Sequence, residues 1–196
     1  MVLFAHGSGS SRHSPRNRYV ADVLNDGGLA TLLIDLLTAD EQAVDLQTTH
    51  LRFDIAFLAR RLEASAEWLS MHSEAHKLNL GIFGASTGAA AALVAAAELP
   101  QLVRAIVSRG GRPDLAGGAI PLVQAPTLLI VGGADPAVLE LNRKAIALMR
   151  CEKELQTIPG AGHLFEEPGA LQKVSALARD WFLKKLTTPP AARARW

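Results

Sequence analysis

The sequence predicts an α/β fold, a mainly parallel sheet of about six strands with helices on both faces. Three observations predict it. Short apolar runs alternate with stretches of helical length and helical spacing. All but the last of those runs are near-continuously apolar, as in parallel strands covered on both sides, rather than alternating apolar and polar. Small-residue segments carrying Ser, Asp and His fall just beyond the ends of such runs, where open α/β sheets bind their ligands.

Taken in order, Val2–Ala5 reads as a buried strand that leads into the loop His6-Gly7-Ser8-Gly9-Ser10-Ser11. A helix over Pro15–Asn25 stops at Gly27-Gly28. Leu29–Ile34 is the second strand, and Leu36–Phe53 is a sizeable insertion. Asp54 is a good N-cap for a helix over Ile55–Glu74, whose Ile55, Leu58, Leu62 and Leu69 keep helical spacing. Leu78–Phe83 is a strand followed by an almost all-Ala helix over Gly88–Glu98. Val103–Val107 and Thr127–Val131 are strands on either side of the short Gly-rich stretch Gly110–Ala125. Pro136–Met149 begins a helix with Pro at its first position. Leu155–Ile158 is the weakest strand, and Ala170–Leu183 closes the domain with a broad apolar helical face. Residues 1–186 read as one domain, and Thr187–Trp196, with its Pro-Pro and Ala-Arg repeats, as a frayed tail.

The bulk numbers bound the function. A chain of 196 residues fits one domain. It is 49% hydrophobic but only 5% aromatic, so the core is built from aliphatic side chains. A formal net charge of +1 argues against nucleic-acid binding. The single Cys151 allows no internal disulfide, which fits a reducing compartment. No apolar run approaches the roughly 20 residues of a membrane span, and Met1–His6 is too short for a signal peptide. We therefore expect a cytoplasmic protein with no membrane or nucleic-acid partner.

The sharpest motif is Gly84-Ala85-Ser86-Thr87-Gly88, placed between a strand and a helix. G-x-S-x-G in that context is a tight turn that lifts a serine hydroxyl above the sheet. An ordinary Ser in a Gly-containing turn is the plainer alternative, but the strand before and the helix after favour a nucleophile. A serine needs a base, and the base an orienting acid. Val131-Gly132-Gly133-Ala134-Asp135-Pro136 and Pro159-Gly160-Ala161-Gly162-His163 supply both, in the chain order Ser, Asp, His. Asp135 before Pro136 is also a plain helix start, and Asp114 is a second candidate acid. The oxyanion hole is expected from the amides of Thr87 and Ser8, with Gly7 and Gly9 as alternatives for the latter. That Gly/Ser loop lacks the Lys of a P-loop and the spacing of a Rossmann fingerprint, which speaks against nucleotide binding. His72 and His76 are one helical turn apart but have no evident third ligand, so we expect neither metal nor cofactor.

Together these segments resemble the α/β-hydrolase superfamily, and in particular its small dienelactone-hydrolase-like branch. The resemblance rests on Leu3–Gly9, Gly84–Gly88, Gly132–Asp135 and Gly160–Pro168 and spans nearly the whole chain. It implies a serine hydrolase with Ser86, Asp135 and His163 as its triad. Dienelactone hydrolase itself uses a Cys nucleophile, so dienelactone is a doubtful substrate here. Similar proteins are sometimes described in association with phosphoribosyltransferase domains, which implies nothing about substrate. Family members also carry an N-terminal hairpin, and only five residues precede His6. Its loss would leave Leu29–Asp35 as an apolar sheet edge, from which we expect a homodimer or another cover.

The expected substrate is a small ester bound in an open site without a large cap. Arg109 and Arg112, with Arg12 and Arg16 after the first loop, are candidates to recognise an anionic group on it. Two other readings carry weight: a catalytically inactive binding scaffold of the same fold, and a thioesterase or lactonase using the same triad.

Overall fold

The computed structural model describes residues 1–72 and 74–187. Most of the expected tail, residues 188–196, lies outside the described residues. Six strands form one sheet: β1 (Val2–Ala5), β2 (Thr31–Leu33), β3 (Leu80–Ala85), β4 (Val103–Arg109), β5 (Thr127–Gly132) and β6 (Lys153–Ile158). Every pairing is parallel and the order is β2-β1-β3-β4-β5-β6. Parallel strands need crossovers, and helices supply them: α1 (Pro15–Asp26), α2 (Ala39–Thr48), α3 (Ile55–Met71), α4 (Thr87–Glu98), α5 (Pro136–Leu148) and α6 (Ala170–Leu186).

Strand alternation splits the core in two. On one face Leu3, Ala5, Ile82, Ile106 and Leu129 pack against α3, α4 and α5 through Leu58, Leu62, Leu93 and Ala145. On the other, Val2, Phe4, Phe83, Val107 and Ile130 pack against α1 and α6 through Val20, Leu24, Val174, Trp181 and Phe182. Helix α4 is buried on nearly all sides, which explains its alanines: Ala89, Ala90, Ala91, Ala92, Ala95 and Ala96 have no exposed surface. Larger side chains there would push α3 and the sheet apart.

The chain leaves β1 for β2 on one side and returns to β3 on the other, so the strand order reverses between β1 and β3. The crevice beyond the carboxyl ends of those two strands is where ligands bind in such sheets. The loop after β1 and the turn after β3 carry Ser8 and Ser86 respectively.

Three features differ from expectation. The Leu36–Phe53 insertion holds helix α2, closed at its start by a capping box in which Thr38 accepts from the Glu41 amide and Glu41 accepts from the Thr38 amide. The Gly110–Ala125 stretch winds into 3-10 turns over Pro113–Leu122, kinked at Gly117. The edge strand β2 has three residues rather than six, all half-buried. Among the described residues, no helix is long and apolar enough to cross a membrane.

Candidate active site

Ser86 stands at the junction of β3 and α4 with φ 50° and ψ −120°, a conformation that L-residues rarely adopt. Sequence makes the turn possible through its flanking glycines. A Cβ at Gly84 would lie 2.5 Å from Ala89 Cα, and one at Gly88 would lie 2.4 Å from the carbonyl oxygens of both Ala5 and His6. Only glycine permits β3, α4 and the end of β1 to converge there. The Ser86 amide donates to Arg109 O at 3.2 Å, and Ser86 O accepts from Ala89 N and Arg112 N. The backbone of Ser86 is thus held by contacts on both sides.

His163 and Asp135 come from the loops after β6 and β5. The His163 Nδ1–H donates to Asp135 Oδ2 at 2.9 Å. Asp135 Oδ1 accepts from the Val138 amide at 3.3 Å, so the same carboxylate caps α5 and holds the imidazole. The Asp-Pro dipeptide thus starts the helix and also supplies a hydrogen-bond partner to His163. The approach of the two loops depends on Gly132, where a Cβ would lie 2.3 Å from Ala161 O. The His163 loop is tied down by the Gly162 amide, which donates to Glu167 Oε1 at 2.9 Å. Asp114, the second candidate acid, is taken by Arg112 Nε and Nη2 at 2.9 and 2.7 Å.

Ser86 and His163 flank one short piece of backbone. The carbonyl of Arg109 receives the Ser86 amide, and a Cβ on the next residue, Gly110, would lie 3.5 Å from His163 Cε1. Among the described residues no hydrogen bond joins the Ser86 hydroxyl to the imidazole. The His163 side chain is 38% exposed and that of Asp135 16%, so the imidazole faces solvent with its acid beneath it.

The loop after β1 closes the other side. A Cβ at Gly7 would lie 3.0 Å from Ser86 Cβ, which brings the expected oxyanion loop against the serine. The Ser8 amide donates to Thr87 Oγ1 at 2.9 Å, so this expected oxyanion donor is occupied by the neighbouring side chain. His6, whose side chain the sequence did not assign, anchors the loop. Its Nε2 accepts from the Leu36 amide at 3.0 Å, so Nδ1 carries the proton and donates to Gly7 O at 2.9 Å. Burial lowers its pKa, with the Gly7 carbonyl and Asp35 opposing, and keeps the ring neutral.

The candidate arginines fall into different surroundings. Arg12 is paired with Asp35, and Arg112 with Asp114, whose hydrogen bonds raise the Arg112 pKa despite some burial. Asp114 stands two residues after Arg112, a signal the sequence offered, whereas only the fold brings Asp35 to Arg12. Arg109 differs. Strand alternation sends it to the α1/α6 side, where it is 8% exposed and its Nη1 has no hydrogen-bond partner. Burial, then the nearby charge of Arg16, pushes its pKa down to about 10. Arg16 Nε and Asn17 Oδ1 are likewise buried without partners, while Arg16 Nη1 reaches Glu166 at 2.9 Å.

The profile of the dienelactone hydrolase family matches residues 18–187. The crystal structure of a dienelactone hydrolase from Anabaena variabilis is 61% identical, with a TM-score of 0.93, over 94% of this chain and 86% of that one. An esterase from Pyrococcus furiosus shares the fold at 17% identity, with a TM-score of 0.69 over 94% of this chain and 83% of that one. A Mycobacterium tuberculosis protein named "Putative phosphoribosyl transferase" is 57% identical over 189 residues, which is 96% of this chain and 42% of that protein. The chain spans less than half the length of the curated relatives it matches.

Proposed function

The chain belongs to the dienelactone hydrolase family, and from that premise we propose that it is a serine hydrolase that cleaves a small ester through an acyl-enzyme on Ser86. The observation that carries the reading is the strained serine at the strand–helix turn, on the same rim as an imidazole already oriented by a carboxylate. A strained serine is costly for folding alone, and a largely sheltered carboxylate that orients a half-exposed imidazole suits a general base.

In this reading the His163 Nε2 takes the Ser86 proton as Oγ bonds to the substrate carbonyl carbon. The carbonyl electron pair moves to oxygen, and the Thr87 amide stabilises that oxyanion. Ser8 N–H joins it once the bond to Thr87 Oγ1 is released, because its neighbour Gly7 packs against Ser86. Asp135 holds the tautomer and stabilises the imidazolium. The intermediate collapses, the bond to the alcohol oxygen breaks, and His163 returns its proton to that oxygen. Water then repeats both steps, releasing the acid and restoring Ser86.

Recognition of an anionic substituent belongs to the proposal, with Arg109 rather than Arg12 or Arg112 as its receptor. A desolvated guanidinium beside a second one is unfavourable without a counter-charge, and an anionic group would supply it. An anionic ester should therefore compete against a neutral nitrophenyl ester better than its neutral analogue does; equal competition removes this part.

The test of the whole reading is covalent. A fluorophosphonate probe should label the protein at Ser86, and Ser86→Ala should abolish labelling and lower kcat by roughly 10³–10⁶-fold with the fold intact. A purified Ser86→Ala protein with wild-type esterase activity refutes the assignment. Absence of labelling in the native protein would favour the scaffold reading. A panel of esters, thioesters and lactones separates the acyl-transfer chemistries from one another.

A further inference from the structure

A cavity of about 110 Å³ lies beyond the oxyanion loop, and the reaction described above leaves it unused. Its walls are the Gly7–Ser11 loop and Thr87 on one side, and Leu36, Leu37, Gln42 and Leu46 on the other, with Leu58 among its lining residues. Leu36 and Leu58 are buried core residues, while Gln42 and Leu46 project from α2 with exposed side chains.

The sheet order decides what this cavity can receive. Ser86 leaves the end of β3, near the middle of the sheet. Asp135 and His163 follow β5 and β6, on one side of β3. The cavity is built over the ends of β1 and β2, on the other side. In acyl transfer the departing alcohol must lie beside the imidazole, because the imidazole protonates it. The remaining carbon substituent of the carbonyl then points away from His163, toward β1 and β2.

We propose that this cavity is the acyl subsite, and that it takes a short, uncharged acyl group of roughly two to five carbons. The inference rests on the serine-hydrolase reading. The size follows from the volume, since an apolar cavity of about 150 Å³ just accommodates benzene. The absence of charge follows from the lining. Each ionised side chain that borders the cavity is already paired: Asp35 with Arg12, and Asp45 with Arg52 at 2.5 Å. His6, which also borders it, has both ring nitrogens committed to backbone. Four leucines supply the apolar surface. Helix α2 is the outer wall, so the insertion between β2 and α3 sets acyl length.

The test varies acyl and alcohol parts separately. The wild type should hydrolyse 4-nitrophenyl acetate and butyrate, with kcat/KM falling about tenfold or more from butyrate to octanoate. Leu46→Trp and Gln42→Trp narrow the cavity from an exposed helix face, and each should lower the butyrate-to-acetate ratio of kcat/KM about tenfold. Their effect should stay the same when the alcohol is changed from 4-nitrophenol to 4-methylumbelliferone. Leu148→Trp, exposed on α5 and away from the cavity, should leave the ratio at the wild-type value. An unchanged ratio in both cavity variants overturns the subsite, as does an effect that follows the alcohol instead of the acyl chain. Failure to hydrolyse any ester, together with an unlabelled Ser86, overturns the hydrolase reading and the subsite with it. A labelled Ser86 with an indifferent acyl profile overturns the subsite alone.

Discussion

His6 is a buried imidazole with both nitrogens committed, Nε2 accepting from Leu36 and Nδ1 donating to Gly7. Protonation of Nε2 would break the first bond and place a charge under the oxyanion loop. Because burial lowers its folded pKa, the unfolded chain takes the proton first as pH falls. The stability contributed by His6 is therefore complete above about pH 6.5 and is lost as the pH drops below it. Urea unfolding at about pH 7.5 and about pH 5.5 should show this loss, and His6→Gln should reduce the difference between the two. Asp135 gives a second prediction, because it serves two bonds. Asp135→Asn keeps a good helix cap, so the fold should hold while kcat falls roughly 10³–10⁴-fold. Asp135→Ala should show the same fall and also lose about 1 kcal/mol in denaturant unfolding. Ser86, His163 and Asp135 were legible as candidates because each sits in a short Gly-flanked segment just past an apolar run. The pairing of Arg12 was not, because it depends on where the fold delivers Asp35, whereas Asp114 stood within reach of Arg112 in the sequence itself.

The elements with strong periodicity or strong end signals appear where they were expected, with ends displaced by a few residues. Strand β4 runs on to Arg109 because it continues to pair with β5 at Ile130. Helix α2 went unread for a physical reason. Its only buried residue is Asp45, and Val44 and Leu46 are exposed, so it shows little apolar periodicity. The Thr38–Glu41 capping box was the available signal. Such a helix depends on its cap and on Arg52, which returns to Asp45 with its backbone and side chain. Thr38→Ala should therefore loosen α2 by about 1 kcal/mol, which is roughly fivefold faster amide exchange over its first turns. Unchanged exchange in α2 would mean that the Asp45–Arg52 contacts alone hold the helix.

Across the whole molecule, the parallel sheet gathers the candidate residues at one end of its strands while the core runs along both faces. The catalytic candidates all follow carboxyl ends. The class of the sheet was readable from continuous apolar runs, but strand order depends on which helices cross which face, and local sequence does not record that. The β2 edge is shorter than its apolar run suggested, so a dimer joined there would need more than three residues of pairing; sedimentation velocity across a range of concentrations tests for it. The separation of ends makes a stronger prediction. Phe182 of α6 has no exposed surface and packs on the amino-terminal half of β3, where a Cβ at Gly81 would lie 2.6 Å from its ring. Phe182→Ala removes the ring and leaves a cavity, at a cost of about 3–5 kcal/mol, a large share of the 5–15 kcal/mol that holds a typical domain together. The turn at Ser86 lies at the other end of β3, fixed by contacts to β1, β4 and α4 that Phe182 does not touch. Denaturant midpoint and melting temperature should therefore fall steeply, while kcat per labelled active site stays near the wild-type value below the transition. A proportional loss of kcat at temperatures where the variant remains folded would show that α6 packing reaches the serine turn through the strand.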